Sequence, residues 1–148
     1  MIDQRFAPFG ALVLRVALGI MFLVHSLYLK LVVFTLPGTV KFFTSLGLPA
    51  ASAYATIAVE AVGGAMLVLG YRTRYAALAT VPVLLGATWV HSGNGWLFTN
   101  ANGGWEYPVF LAVAVIVQAL VGDGAWALSS DRAFAPPRGA AHTPEVAI

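Results

Sequence analysis

Four long apolar runs leave this chain few polar residues with which to face water. They cover about residues 8–33, 50–69, 74–91 and 107–122. Charged side chains make up 9% of the sequence and hydrophobic ones 59%, with a mean hydropathy of +0.83. A water-soluble domain carries roughly 25% charged residues. A helix needs roughly 20 consecutive apolar residues to cross a bilayer, where every backbone polar group must be satisfied internally. The expected fold class is therefore all-α: a polytopic four-helix transmembrane bundle, with a short interfacial helix between spans 1 and 2.

Several functions are excluded at once. The 148 residues suffice for one unit, a membrane domain over 1–131, followed by a Pro/Ala-rich tail at 132–148 expected to be flexible and cytoplasmic. There is no cysteine, so no disulfide or dithiol chemistry is available within the chain. Three scattered histidines without Cys make a poor structural zinc set. A net charge of +2, with dispersed basic residues, gives no case for nucleic acid. The first apolar run continues through bulky side chains to Phe34, which reads as a retained helix rather than a cleaved signal.

Turn chemistry sets the boundaries. Pro37-Gly38 is expected to break the chain after the first run. Residues 39–47, with Phe42 beside Phe43, read equally well as an interfacial segment or as a loop helix packed on the bundle. Pro49 opens the second span, and the stretch from Gly70 to Arg74 closes it. Pro82 should bend the third, with the hydroxyls of Thr80 and Thr88 placed to take up the freed carbonyl. The fourth span is near the lower limit of length and stops at Gly122-Asp123-Gly124. With four spans, Arg5, Arg72, Arg74, Arg132 and Arg138 fall on one side, whereas loop 92–106 has no Lys or Arg. The positive-inside bias then predicts a multi-pass protein of the cytoplasmic (inner) membrane with both termini cytoplasmic.

Ionisable residues inside such spans are the chemical clues. Arg15 and Glu60 lie about 10 and 13 Å from the same end at 1.5 Å per residue. They are expected to meet, either as an ion pair that fixes helix order or as a relay or binding anchor. Gly19, Gly63 and Gly64 would let the two helices approach closely enough. At the outer end, His25, His91 and Glu106 form a candidate polar cluster, with Lys30 snorkelling nearby. Three readings apply to it: interface residues bonded to water or backbone, a polar ligand site, or a metal site, the weakest of the three. Trp96 and Phe98 are candidates for a lid folded back on the bundle. His142 falls in the tail. The Gly/Asn-rich loop lacks the Lys-Ser/Thr of a phosphate loop.

The order of five segments resembles the DoxX family of small four-span membrane proteins. LRVALGIMFLVHSLYLKL at 14–31 matches its first span at Arg15, Gly19, Phe22, His25, Lys30 and Leu31, with Ser26 in place of the usual Gly. FFTSLGLP at 42–49, VEAVGGAMLVLGYRTRYAAL at 59–78, NGWLFTNANGGWEYP at 94–108 and GDGAWALS at 122–129 follow in family order. The resemblance spans roughly residues 8–131. It implies a compact bundle in the cytoplasmic membrane and no single activity. Some relatives are described as the small subunit of thiosulfate:quinone oxidoreductase with a DoxD partner, others as parts of membrane oxidoreductase complexes.

Three functions are carried forward. The first is an accessory or membrane subunit of a quinone-linked oxidoreductase system, with His25 or His91 donating to a quinone carbonyl. The second is a small transporter or lipid-binding protein, motivated by Arg15, Glu60 and Pro82. The third is a structural or assembly factor with no catalytic site. Quinone is the candidate cofactor, no metal is expected, and no catalytic residue is assigned. Membrane lipid, a redox partner subunit and a second copy of the chain are the candidate partners.

Overall fold

A computed structural model describes residues 3–128, and these are helical throughout the apolar runs. Helix α1 covers Ala7–Leu23 and runs on as a π-helix over Val24–Val33. Then come α2 at Leu36–Ser45, α3 at Ala50–Leu69, α4 at Thr73–His91 and α5 at Glu106–Val121. The expected tail at 132–148, with His142, lies outside the described residues.

The four-span bundle is corrected. Among the described residues three helices are long and apolar enough to cross a membrane: Ala7–Val33, Ala50–Leu69 and Thr73–Asn94. The fourth run makes a helix of only 16 residues. At 1.5 Å per residue it is about 24 Å long, short of the ~30 Å hydrocarbon layer. Its limits are set by the loop up to Trp105 and by Gly122, whose φ of 85° stops the helix. Helix α5 lies along α4 and also touches α1.

The break after the first span falls at Thr35, ahead of Pro37. Thr35 takes φ 61°, and its hydroxyl accepts from the Gly38 N–H at 3.3 Å, capping α2. Pro37 sits in the first turn of that helix, where a missing N–H costs nothing. Pro82 is carried inside α4. Thr80 and Thr88 do not serve its freed carbonyl; they donate to the carbonyls of Ala77 and Leu84 at 2.7 and 2.8 Å.

Antiparallel helices α1 and α3 pack through glycine. A Cβ on Gly19 would lie 2.7 Å from the Gly64 carbonyl oxygen, and one on Gly64 2.9 Å from the Gly19 oxygen. This contact sets the register of the pair. Around it a core of Leu18, Phe22, Leu67, Leu84, Leu111 and Val115 joins α1, α3, α4 and α5. Many large apolar side chains, Leu120 and Phe110 among them, stay exposed on the outside. Lipid suits such a surface.

The register places Arg15 opposite Val68, about two turns from Glu60, so the expected Arg15–Glu60 pair does not form. The first turn of α1 runs past the end of α3 to meet the turn after α5, where the Ala125 N–H bonds to the Pro8 carbonyl at 2.9 Å. Depth counted from the helix ends is therefore misleading here. Arg15 is 1% exposed. Its five N–H groups are all used: Nε to the Asp123 carbonyl, Nη1 to Leu67 and Val68, and Nη2 to Ala125 and Trp126, at 2.8–3.1 Å. The positive charge sits at the negative end of the α3 dipole.

Candidate ligand cavity

The other half of the molecule is hollow. A cavity of about 1050 Å³ is walled by the π segment, α2, α3, α4 and the start of α5. Its depth follows from sequence. Ala55, Ala79, Gly86 and Ala87 present small side chains to it, and a Cβ on Gly86 would touch nothing within 4 Å.

The π-helix decides what faces this space. Its hydrogen bonds close over five residues, as the Phe34 N–H does on the Leu29 carbonyl at 2.8 Å. Residues five apart then share a face, which brings His25 and Lys30 together on the cavity wall. A helical side chain leans back toward its own N-terminus, and from the last turn Lys30 reaches Glu60 of α3. Lys30 Nζ lies 2.7 and 2.9 Å from the two carboxylate oxygens. The two side chains are 17% and 7% exposed. The Thr39 hydroxyl of α2 donates to the Lys30 carbonyl at 2.8 Å and ties the short helix to this wall.

Both histidines expected at the outer end line the same cavity. The Nδ1–H of His25 points to the Met21 carbonyl at 2.9 Å, and the ring stacks on Tyr107 with centroids 6.4 Å apart. His91 at the end of α4 holds the loop between α4 and α5, with Nδ1 3.0 and 3.2 Å from the carbonyls of Asn102 and Gly103. Asn94 bonds the same two carbonyls through its amide.

The rest of the expected cluster lies elsewhere. Glu106 turns into the loop, where Oε1 accepts the Phe98 N–H at 3.0 Å. Trp96 packs edge-on against Trp105 at 4.5 Å. Trp96, Phe98 and Glu106 border a separate shallow hollow of about 490 Å³, and the two aromatics are more than half exposed rather than folded down as a lid. The loop is pinned by its own backbone: Trp105 and Glu106 N–H groups bond the Gly95 and Trp96 carbonyls at 3.1 Å. Among the described residues no three His, Asp or Glu side chains gather as a metal site, so the His25–His91–Glu106 ligand set does not assemble.

Of the six candidate residues, the cavity unites His25, His91 and Glu60, and leaves out Arg15, Glu106 and Trp96. Sequence reasoning missed Lys30 as the partner of Glu60. The available signal was that Lys30 is the one other cation inside the first apolar run.

The DoxX family profile matches residues 10–93. That stretch holds His25, Lys30, Glu60 and His91 of the cavity and stops short of Glu106. A Bacillus subtilis (strain 168) protein named "Putative oxidoreductase CatD" is 40% identical over 78 residues, 53% of this chain and 56% of that protein. The chain thus spans little more than half the length of this relative. No solved structure matches.

Proposed function

The chain belongs to the DoxX family of membrane proteins, and from that premise we propose that it serves as the membrane subunit of a quinone-linked oxidoreductase system, holding the quinone ring in the cavity beside Lys30 and Glu60. One observation carries the reading: a void of about 1050 Å³, walled mainly by apolar side chains, with one ion pair and two imidazoles in its lining. Small-molecule sites are of this kind, apolar with a few convergent polar groups. A ring compound with an isoprenoid tail and oxygens at its rim is complementary to both parts. The naming of the Bacillus subtilis relative as an oxidoreductase supports the redox part of this reading.

In this reading His25, His91, Lys30 and Glu60 contact the ring oxygens. Arg15 holds the fold, while Glu106 and Trp96 shape the outer loop. The chain has no cysteine, so the redox couple is the quinone's, and its electron partner is a separate protein subunit. The protein resides in the inner membrane. The end carrying Arg5, Arg72 and Arg74 faces the cytoplasm, following the positive-inside bias.

The test is purification in mild detergent followed by solvent extraction and mass spectrometry. A retained quinone is expected in the native protein and its loss in Gly86→Leu. Gly86 lines the cavity with room for a Cβ, and Leu is favoured over Gly in a helix by roughly 0.5–1 kcal/mol. Recovery of phospholipid alone, with no quinone from either sample, would refute the reading.

A further inference from the structure

The two cavity histidines are committed at the same ring atom. His25 Nδ1 is 2.9 Å from the Met21 carbonyl. His91 Nδ1 is 3.0 and 3.2 Å from two carbonyls, and the Asn94 amide stands further off at 3.5 Å. A carbonyl oxygen only accepts, so Nδ1 is the nitrogen that bears hydrogen in each ring. A neutral imidazole has one donor and one acceptor. Nε2 of both rings is therefore an acceptor in search of a donor.

The remaining polar groups shift the balance the same way. The Thr39 hydroxyl hydrogen goes to the Lys30 carbonyl and that of Ser52 to the Pro49 carbonyl, at 2.8 and 2.6 Å, leaving only oxygen lone pairs. Glu60 contributes a carboxylate. Lys30 uses two contacts on Glu60 and keeps one N–H. The hydroxyls of Thr56 and Tyr107 either donate or accept, and the indole N–H of Trp89, also in the lining, only donates. Groups fixed as acceptors, the two Nε2 atoms, Thr39, Ser52 and Glu60, thus outnumber those fixed as donors, Lys30 and Trp89.

We propose that the cavity selects the reduced, hydroxyl-bearing form of its ring ligand over the oxidised, carbonyl form. This rests on the quinone reading above and corrects the expectation that His25 or His91 donates to a carbonyl. A hydroquinone brings an O–H donor at each end of the ring, and each finds an imidazole Nε2. A quinone brings only acceptors and sets lone pair against lone pair. Sites that leave a buried polar group unpaired against the wrong ligand discriminate by roughly 10⁴-fold when closed. A cavity bordered by lipid is expected to keep at least about tenfold, which raises the potential of the bound two-electron couple by about 30 mV.

The protein in lipid nanodiscs is titrated anaerobically with decylubiquinol and with decylubiquinone, binding being read by calorimetry against empty discs. The reduced form is expected to bind at least about tenfold tighter. His25→Phe keeps a ring against Tyr107 and removes the acceptor. The reduced form then loses more affinity than the oxidised form, so the ratio of the two falls toward one, whereas a merely structural role moves both affinities together. His91→Phe is expected to lower the ratio likewise, and it decides the matter if the His25 variant does not fold. Equal or tighter binding of the oxidised form by the native protein overturns this selectivity alone. Binding of neither form overturns the quinone reading along with it.

Discussion

At the scale of single residues, two cations in the first apolar run have opposite assignments. Arg15 is used up. Its five donors meet five backbone carbonyls from α3 and from residues 123–126. Nothing on it is left for a ligand. Lys30 is held by one carboxylate on a cavity wall and keeps a donor to offer. The difference is geometric: the guanidinium is a planar fork that can serve several carbonyls at once, and the ammonium is a compact point charge. Arg15→Lys therefore preserves charge and loses the fork. Three donors cannot reach five carbonyls, and each buried group left unpaired costs about 1–3 kcal/mol. A loss of about 2 kcal/mol or more is expected in thermal unfolding in detergent, with quinone retention per folded molecule unchanged. An unaltered unfolding midpoint would remove Arg15 from its role as a fastener.

At the scale of helices, the packing of α1 on α3 was legible in the sequence and the pairing of its charges was not. Gly19 and Gly64 announce a close approach, and each would drive a Cβ into the other's backbone. Gly19→Ala is expected to force the helices apart at about 1–3 kcal/mol, the usual cost of overpacking. Gly10 lies in the same helix, and a Cβ there would meet nothing within 4 Å. Gly10→Ala should be neutral or stabilising by roughly 0.5–1 kcal/mol. Comparing the two unfolding midpoints separates contact from helix propensity. What the sequence hid is the register. Periodicity marks an apolar helix across residues 8–33 but carries no sign that hydrogen bonding passes from four-residue to five-residue closure at Val24. With an α-helical count, His25 and Lys30 do not share a face, and Glu60 is left to Arg15 by default. Likewise the fourth run looked spanning by composition, yet Gly122 and the loop before Glu106 cut it to 16 residues. The short helix after Thr35 was legible, with its start displaced because a β-branched residue takes the positive φ.

At the scale of the whole molecule, the two ends are closed by different means. One end is sealed: the start of α1, the Gly70 turn and residues 123–128 interlock through Arg15 and through the Leu128 N–H on the Leu69 carbonyl at 3.2 Å. Gly70 is part of that seal, since a Cβ on it would strike the Arg15 guanidinium and Ala127. The other end is propped open by the π segment, by small residues of α3 and α4, and by a loop held on His91. A sealed end gives rigidity and an open end gives access. Basic residues gather at the sealed end, so the cavity is expected to open toward the outer half of the membrane. The absence of cysteine from the chain makes this directly measurable. Gln4→Cys and Leu128→Cys each place a thiol at the sealed end, and Asn100→Cys places one in the exposed loop at the other end. In intact cells a membrane-impermeant maleimide is expected to label Asn100→Cys alone. The other two should react only after permeabilisation, and together, since residues 125 and 128 are bonded to the same end as Pro8 and Leu69. Labelling of residues 4 and 128 from outside with residue 100 protected would invert the molecule, and the cavity would then draw its ligand from the cytoplasmic leaflet.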